Sequence, residues 1–279
     1  MSSEIEHMDC SQDDFYKNAQ EYWAEIPPTV DGMLGGFSSI SEKDIKGSKL
    51  LLRQLFRLNK PPGNKYALDC GAGIGRVTKH LLIDLFENVD LVEQNSNFIA
   101  KAKAYIGTEG TGRLCNLYST GLQSFKPDPG KYDVIWMQWV LGHLTDSDLV
   151  ECFNNCKAAL KPDGVIIVKE NITSSGTIEM DKNDSSFTRP ISLLKKLFDE
   201  AGLNCFKQHK QHDFPKCLYP VYMFVLRPKS EGLDKDETEP PNKVIRNNEV
   251  EELVCLTSKS GSSEVGSKEN GQPHESENN

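Results

Sequence analysis

Two hydrophobic patterns alternate along the chain from Tyr66 onward. Short, continuous apolar runs predict strands, and apolar residues recurring at helical spacing predict amphipathic helices. The predicted strands begin at Tyr66 and then cover Asn88–Glu93, Leu114–Tyr118, Tyr132–Met137, Val165–Lys169, Asn204–Lys207 and Val221–Leu226. The predicted helices between them are Val77–Leu82, Asn97–Tyr105, Asp146–Leu160 and Ile191–Ala201. This alternation predicts an α/β fold whose seven-stranded sheet is mostly parallel, with helices on both faces and a final antiparallel pair.

Two further helices are predicted before the sheet, over Asp13–Glu25 and Ser41–Leu58. The segment between them starts with Pro27-Pro28 and continues through an apolar stretch with three glycines, ending at Phe37. A proline disfavours helix at the residue before it, so the first helix ends there. The apolar segment is either a packed loop or a lid over a site.

Composition divides the chain into a folded body and two polar ends. Residues 1–11 are polar and predicted to be flexible, and residues 12–227 form one domain, with 12–60 as its helical lid or substrate segment. Residues 228–279 lack aromatics and carry twice as many acidic as basic residues, which predicts a disordered acidic tail. The true start is either Met1 or Met8.

Charge and cysteine usage exclude several classes of protein. The net charge of −9 argues against a non-specific nucleic-acid binder, which needs a basic footprint. No stretch approaches the ~20 apolar residues of a membrane span, and the N-terminus does not resemble a secretory signal. The eight cysteines are therefore predicted to be reduced thiols in an intracellular protein. Without a Cys-x-x-Cys pair, no metal site is expected.

A glycine-rich turn follows the first strand, in the run Leu68-Asp69-Cys70-Gly71-Ala72-Gly73-Ile74-Gly75-Arg76. Glycine lets a ligand approach the backbone, and a helix start offers free N–H groups to polar ligand atoms. The G-x-G-x-G spacing after an acid is typical of loops that hold S-adenosylmethionine. The other interpretation is an ordinary tight turn.

Polar residues also follow the other strands, where ligands bind in open α/β sheets. Glu93 ends the second strand, and an acid there can accept hydrogen bonds from both ribose hydroxyls. Arg76 can pair with the methionine carboxylate of the cofactor, or be a solvated arginine. The remaining polar or loop residues at strand ends are Gly121, Leu122, Gln123, Gln138, Trp139, His143 and Asn171.

Two features suggest a substrate site, and each has a plainer explanation. Trp139 is predicted to begin the loop after the fourth strand, where its indole face can hold a proline ring or a cation; it can equally be a core aromatic. Asp181 and Asp184 lie in a long polar insert, where they can recognise a basic side chain or accept a proton, or be part of a solvated loop.

Taken together, these stretches resemble the protein α-N-terminal methyltransferase family, which modifies chains beginning X-Pro-Lys or X-Pro-Arg. The similarity covers roughly Phe15 to Arg227. The residues that carry it are Tyr22-Trp23, Ile26–Gly36, Leu68–Arg76, Gly121–Gln123, Tyr132–Trp136, Gln138–Val140, Gly142–Asp146 and Asp184–Ser186. The Pro-Pro-Thr-Val-Asp-Gly-Met-Leu-Gly-Gly run is far more specific than the glycine turn.

The resemblance implies a Rossmann-like class I methyltransferase that uses S-adenosyl-L-methionine and needs no metal. It implies cofactor contacts at Gly71, Gly73, Arg76, Glu93, Leu122, Gln123 and Gln138. It implies substrate contacts at Trp23, Met33, Leu34, Gly35, Trp139, Asp181, Asp184 and Tyr219, with His143, Asp184 and Asn171 as catalytic residues. We expect a monomer of the nucleus and cytoplasm that acts on protein N-termini, without direct nucleic-acid or membrane partners.

Three positions depart from the family pattern. Glu93 stands where aspartate is frequent, Phe37 where tyrosine is common, and Lys182 where an acid is expected beside Asp181. Lys182 weakens the local field for a basic side chain. The alternatives are a methyltransferase of small molecules or of internal Lys or Arg side chains, and a non-catalytic binding module that has kept the fold.

Overall fold

The computed structural model describes residues 11–107, 110 and 112–229. The predicted flexible N-terminus, apart from Ser11, and the predicted acidic tail beyond Lys229 lie outside the described residues. Ser11 itself is the N-cap of the first helix, where its Oγ accepts a hydrogen bond from the Asp14 N–H at 3.2 Å.

A seven-stranded sheet forms the centre of the molecule. Its strands are β1 (Tyr66–Cys70), β2 (Asn88–Glu93), β3 (Leu114–Ser119), β4 (Tyr132–Gln138), β5 (Leu160–Asn171), β8 (Leu203–Lys210) and β9 (Val221–Pro228). The order is β3-β2-β1-β4-β5-β9-β8, in which β9 pairs antiparallel with both of its neighbours, β5 and β8, and the other pairs are parallel. Strand order reverses between β1 and β4, which places the topological switch point beside the glycine turn.

Helices cover both faces of this sheet. They are α1 (Gln12–Glu25), α2 (Val30–Met33), α3 (Ser41–Leu55), α4 (Ile83–Leu85), α5 (Ser96–Ile106), α6 (Asp146–Ala159) and α7 (Ile191–Glu200). Alternate strand residues enter opposite cores: Ile135 and Ile166 join one apolar cluster, while Val134 and Ile167 join the other. All seven residues of β4 are buried, as expected for a central parallel strand covered on both faces.

Four local predictions need correction. β5 starts at Leu160 and not at Val165, because Leu160 pairs with Tyr132 across an irregularity in the register. The helix predicted over Val77–Leu82 is a π-helical turn, Thr78–Leu82, which continues into α4. The third helix ends at Leu55 and not at Leu58.

The fourth correction concerns the polar insert that was predicted between β5 and the next helix. It contains a short antiparallel hairpin of β6 (Glu179–Asp181) and β7 (Ser186–Thr188). The buried side chains of Ile178 and Phe187 anchor it against Phe15 of α1. The hairpin and the N-terminal helices therefore pack together above the carboxyl ends of the strands.

Candidate functional site

A cavity opens at the carboxyl ends of β1, β2 and β4, beside the glycine turn. Gly71 and Gly73 adopt φ of 66° and 57°, in the left-handed region that favours glycine. A Cβ on Gly73 would come within 2.5 Å of the Met33 sulfur, so glycine also admits a side chain from α2. Glycine therefore permits both the left-handed backbone of this turn and the close approach of the Met33 side chain to Gly73.

Asp69 shapes the turn from below. Its Oδ2 accepts hydrogen bonds from the Thr78 N–H at 3.1 Å and the Thr78 hydroxyl at 2.7 Å. Burial raises the pKa of Asp69 to about 6, while the Thr78 hydrogen bonds and the positive charge of Arg76 act in the opposite direction. The acid before the glycines therefore holds the start of the following helix.

Glu93 at the end of β2 fastens the same turn from the side. Its Oε2 accepts the Gly73 N–H at 2.9 Å, and its Oε1 accepts the Asn95 N–H at 2.8 Å. Burial raises the pKa of Glu93, and these backbone donors counteract the rise. A carboxylate oxygen accepts more than one hydrogen bond, so both oxygens retain capacity for ligand hydroxyl groups.

Arg76 and Gln138 line the cavity and share a buried partner, Asp44 of α3. Arg76 Nη1 lies 2.8 Å from Asp44 Oδ2, and Gln138 Nε2 donates to both Asp44 oxygens at 2.9 and 3.0 Å. Asp44 has no exposed surface, and its pKa is lowered because Lys169 and Arg76 outweigh the large opposing effect of burial. Asp44 was not predicted as a site residue, because it lies in the first turn of a predicted helix, where acids are common.

Every residue implied as a cofactor contact lines this first cavity. They are Gly71, Gly73, Arg76, Glu93, Leu122, Gln123 and Gln138. The structure brings them together from the turn after β1 and from the carboxyl ends of β2, β3 and β4. Their contacts with a cofactor remain predictions.

A second cavity lies between the N-terminal helices and the β6–β7 hairpin. Every residue implied as a substrate contact or catalytic residue lines it: Trp23, Met33, Leu34, Gly35, Trp139, His143, Asn171, Asp181, Asp184 and Tyr219. The two cavities share Trp23, Met33, Trp139 and His143. The two cavities are therefore adjacent at these side chains.

The proline–glycine segment builds one wall of the second cavity. Thr29 caps the short helix α2, and its Oγ1 accepts the Gly32 N–H at 3.1 Å. Gly35 and Gly36 then turn the chain with φ of 55° and 86°. Met33 of this segment lies at the shared boundary, and its interpretation as a lid stays a prediction.

Both ring nitrogens of His143 are engaged. Its Nε2 accepts the indole N–H of Trp23 at 2.9 Å, and its Nδ1 lies 3.3 Å from the Ser185 carbonyl. With a donor facing Nε2 and an acceptor facing Nδ1, these contacts assign the neutral tautomer protonated on Nδ1. Burial lowers the pKa of His143, although the nearby Asp184 opposes that shift.

The acids of the hairpin differ in their surroundings. Asp184 is half-buried and accepts the Ser186 hydroxyl at 2.7 Å, and burial raises its pKa. Asp181 is exposed and accepts the Asn183 N–H at 2.8 Å. Tyr219 donates to Glu179 at 2.6 Å, which adds a further carboxylate beside the mouth of the cavity.

Trp139 begins the loop after β4, as predicted, in a left-handed conformation with φ of 53°. The Arg76 guanidinium lies 5.6 Å from the centroid of its indole, and the Phe214 ring centroid lies 6.5 Å from it. Glu170 holds this loop by accepting the N–H groups of Val140 and Leu141 at 2.8 and 2.9 Å.

Glu170 was not predicted as a site residue. It lies near the carboxyl end of β5, directly before Asn171, and that position was the available signal. Burial raises the pKa of Glu170 to about 7, against the effect of the backbone donors. Its contacts give it the role of a support for Trp139.

Comparison with known proteins places this geometry in a family. The family model described as AdoMet-dependent proline di-methyltransferase matches residues 11–227. The chain belongs to this family. The chain is also 49% identical over 215 residues to N-terminal Xaa-Pro-Lys N-methyltransferase 1 of Xenopus tropicalis, which covers 76% of this chain and 95% of the relative. The human protein of the same name is 46% identical over 214 residues, with the same coverage.

Solved structures of methyltransferases share the fold of this chain. A SAM-dependent methyltransferase from Leishmania major is 37% identical, with a TM-score of 0.71 over 76% of this chain and 83% of that one. A Burkholderia thailandensis 1,6-didemethyltoxoflavin-N1-methyltransferase, solved with S-adenosylhomocysteine, has a TM-score of 0.64. At 14% identity and covering 79% of this chain and 92% of that chain, it shows the shared fold alone.

The cofactor of this family fits the first cavity of the chain. S-adenosylmethionine carries ribose hydroxyls and a carboxylate, for which Glu93 and Arg76 are suitable partners. Within the described ranges, no group of three or more His, Cys, Asp or Glu side chains is arranged to hold a metal ion. Nor, over the same residues, is any helix both long and apolar enough to cross a bilayer.

Proposed function

We propose that this protein uses S-adenosylmethionine to methylate the α-amino group of protein chains that begin X-Pro-Lys or X-Pro-Arg. The observation that carries the proposal is the boundary shared by the two cavities, formed by Trp23, Met33, Trp139 and His143. The cofactor supplies an electrophilic methyl group on a positively charged sulfur. An amine in the second cavity meets that methyl group only at this boundary. The names of the relatives, N-terminal Xaa-Pro-Lys N-methyltransferase 1, support the substrate class.

In the first cavity, each residue has a distinct binding role. Glu93 accepts ribose hydroxyls, and Arg76 pairs with the methionine carboxylate of the cofactor. The backbone around Gly71 and Gly73 leaves room for the amino-acid end, while Leu122 and Gln123 contact the adenine. Gln138 is held against Asp44 and lines the wall nearest the reacting end.

In the second cavity, the residues match the first three positions of the substrate. Asn171 orients the terminal amine, and Trp139 packs against the proline ring. Asp181 and Asp184 provide negative charge for the basic third side chain, and Tyr219 lines the mouth. Trp23, Met33, Leu34 and Gly35 cover the channel from the N-terminal side.

Proton removal must precede methyl transfer. A free α-amino group has a pKa near ~8, so at neutral pH it is mainly protonated and lacks the lone pair that attacks the methyl group. Asp184 and His143 are the candidate bases. A carboxylate whose pKa burial raises is a better proton acceptor than an ordinary aspartate. His143 receives a proton on Nε2 only if Trp23 withdraws from it.

While Trp23 donates to His143 Nε2, Asp184 is the base that first accepts the proton of the amine. His143 follows when an entering peptide displaces the Trp23 indole. The amine then loses its proton directly or through water. Asn171 and Trp139 keep the freed lone pair in line with the methyl group, which is the alignment that a displacement reaction requires.

We also propose that the protein works as a monomer on protein N-termini in the nucleus and cytoplasm, without direct nucleic-acid or membrane partners. The six cysteines within the described residues are free thiols, which fits a reducing compartment. Size-exclusion chromatography with light scattering tests the oligomeric state, and imaging of a tagged chain tests the location.

Mass spectrometry of a Ser-Pro-Lys peptide, incubated with the protein and S-adenosylmethionine, tests the main proposal. We expect mass gains of one or more methyl groups on the α-amine, and none on matched Ser-Gln-Lys or N-acetylated Ser-Pro-Lys peptides. Equal methylation of the Ser-Gln-Lys peptide, or a methyl group on its lysine side chain, would favour the alternative of a small-molecule or internal Lys/Arg methyltransferase. Retained cofactor binding without any transfer would favour a binding module.

A further inference from the structure

A buried ionic cluster lies beneath the first cavity, formed by Asp44 of α3, Arg76 of the glycine turn and Lys169 of β5. We name it the Asp44 cluster. Lys169 Nζ lies 2.6 Å from Asp44 Oδ1, and Arg76 Nη1 lies 2.8 Å from Asp44 Oδ2. The Arg76 side chain is 5% exposed, and the other two have no exposed surface. Water therefore screens these charges very little.

The cluster contains two cations and one anion. The other partners of the Lys169 ammonium are neutral: the Asp44 carbonyl at 2.9 Å, the Ser48 hydroxyl at 3.0 Å and the Gln211 side-chain oxygen at 2.8 Å. Two positive charges thus share a single carboxylate. Burying an uncompensated charge is costly, so the cluster favours a second anion.

The nearest buried acids are engaged elsewhere. Asp69 accepts both hydrogen bonds from Thr78 and acts on Arg76 through its charge alone, while burial raises its pKa to about 6. Glu93 accepts backbone donors from Gly73 and Asn95. Of the three cluster members, only Arg76 lines the cavity, so the excess positive charge faces the cavity through its guanidinium.

We propose that Lys169 is a positioning residue for the cofactor: by sharing Asp44, it leaves the charge of Arg76 available to the methionine carboxylate. Without Lys169, the pair of Arg76 and Asp44 would be neutral on its own. The methionine carboxylate of the cofactor would then have to compete with Asp44 for the Arg76 guanidinium. This inference rests on the proposed role of Arg76 and goes beyond it, because Lys169 touches no ligand.

The cluster also connects the cofactor to the N-terminal lid. Asp44 is in the first turn of α3, and Gln211 donates to the Lys43 carbonyl at 3.3 Å. Gly47 of the same helix leaves space for the Gln211 side chain, which a Cβ would meet. Through its contacts with Asp44 and Ser48, Lys169 thus joins β5 to α3 next to Arg76.

Calorimetric titration with two ligands tests the charge count without measuring catalysis. The ligands are S-adenosylhomocysteine and its decarboxylated analogue, which lacks only the carboxylate. The ratio of their Kd values is the carboxylate preference. We expect a preference of at least tenfold in the native protein, reduced fivefold or more in Lys169→Met, and recovered in the double variant Asp44→Asn/Lys169→Met, where Arg76 is unpaired again.

Two control variants keep the test decisive. Lys169→Arg preserves the charge and should preserve the preference, and Ser48→Ala removes a neutral partner of Lys169 and should leave it unchanged. If Lys169→Met does not fold, Lys169→Gln is titrated in its place. The proposal is overturned if loss of the lysine charge weakens the binding of both ligands equally. It is also overturned if the double variant does not recover the carboxylate preference. Failure of the native protein to bind S-adenosylhomocysteine would instead refute the proposed function.

Discussion

The two cavities share a boundary but are built in different ways. The cofactor cavity is lined by the ends of sheet strands, and its polar side chains are fixed by buried partners, as Glu93 is by Gly73 and Asn95. The substrate cavity adds parts outside the sheet, namely α1, α2 and the β6–β7 hairpin, to the ends of β5 and β9. Its acid Asp181 is exposed and its aromatic Tyr219 is 41% exposed. Cofactor binding thus belongs to the fold, and substrate choice to segments added to it.

The largest expected effect separates two acids of the hairpin. Asp184→Asn should lower kcat on a Ser-Pro-Lys peptide by ~10²–10⁴, because it removes a candidate base while keeping an acceptor for Ser186. Asp181→Asn is the matched control and should raise KM for the peptide while kcat stays within threefold. His143→Ala should also lower kcat strongly. All three variants should bind S-adenosylhomocysteine within twofold of the native protein by calorimetry, and full activity in both Asp184→Asn and His143→Ala would contradict the assignment.

The next effect concerns Glu170, the support beneath Trp139. Its carboxyl has a pKa of about 7 in the fold and an ordinary value of 4.5, so the folded state binds a proton more tightly. Stability should therefore fall as pH rises from about 4.5 to about 7, and the loss, roughly 3 kcal/mol, should be complete above about pH 7. Urea unfolding across this range measures it.

Glu170→Gln removes this titration and leaves an amide oxygen in the place of Oε1, which accepts both backbone N–H groups. The difference in unfolding free energy between Glu170→Gln and the native protein should therefore increase with pH in favour of the variant. Glu151→Gln, on the exposed side of α6, is the control and should leave the native pH dependence unchanged. Parallel curves for Glu170→Gln and the native protein would show that the carboxyl is already ionised at pH 5.

A third comparison uses two glycines with nearly the same backbone. Gly73 and Gly35 have φ of 57° and 55°, but a Cβ meets the Met33 sulfur only at Gly73 and has open space at Gly35. Alanine costs ~1–2 kcal/mol of backbone strain at either position. Gly73→Ala should in addition displace Met33, weakening S-adenosylhomocysteine about tenfold and raising the peptide KM.

The Gly35→Ala variant should leave the Kd of S-adenosylhomocysteine within twofold, since it strains the substrate cavity alone. Adding Met33→Ala to Gly73→Ala should recover part of the lost cofactor affinity. An unchanged peptide KM in Gly73→Ala would mean that the two cavities do not communicate through Met33.

The smallest expected effect is at the mouth of the substrate cavity. Tyr219→Phe removes the hydroxyl that donates to Glu179 at 2.6 Å in an exposed position. We expect a two- to threefold rise in peptide KM, kcat within twofold, and a change in unfolding free energy below about 0.5 kcal/mol. Glu179→Gln should reproduce the KM effect. A larger loss of kcat would move Tyr219 from the mouth to the reacting centre.

The difference between the cofactor cavity and the substrate cavity also explains what could be predicted from the sequence. Strand–helix alternation and buried runs such as Tyr132–Met137 determine the sheet, and polar residues after strands identify the cofactor cavity without knowledge of contacts. The residues of the substrate cavity could be predicted mainly from the family resemblance, because only the tertiary fold brings residues such as Trp23 and Asp184 to one cavity.

The buried partners escaped prediction for a physical reason. Lys169 lies in an apolar strand, and its partner Asp44 is 125 residues away in a helix. Nothing local distinguishes that aspartate from any acid in the first turn of a helix. Long-range charge pairs of this kind are consequences of packing and leave no periodic trace in the chain.

The segment from Pro27 to Gly36 has a consequence for the evolution of new activities. Its path is set by main-chain features: a Cβ on Gly32 would meet the Pro27 carbonyl, and Gly35 and Gly36 have positive φ. Single side-chain changes therefore reshape this wall poorly, because they disturb the chain path before they alter the contacts. A relative with a different substrate should differ here by insertion or replacement of the whole segment, whereas laboratory selection by point mutation should find its gains in the hairpin.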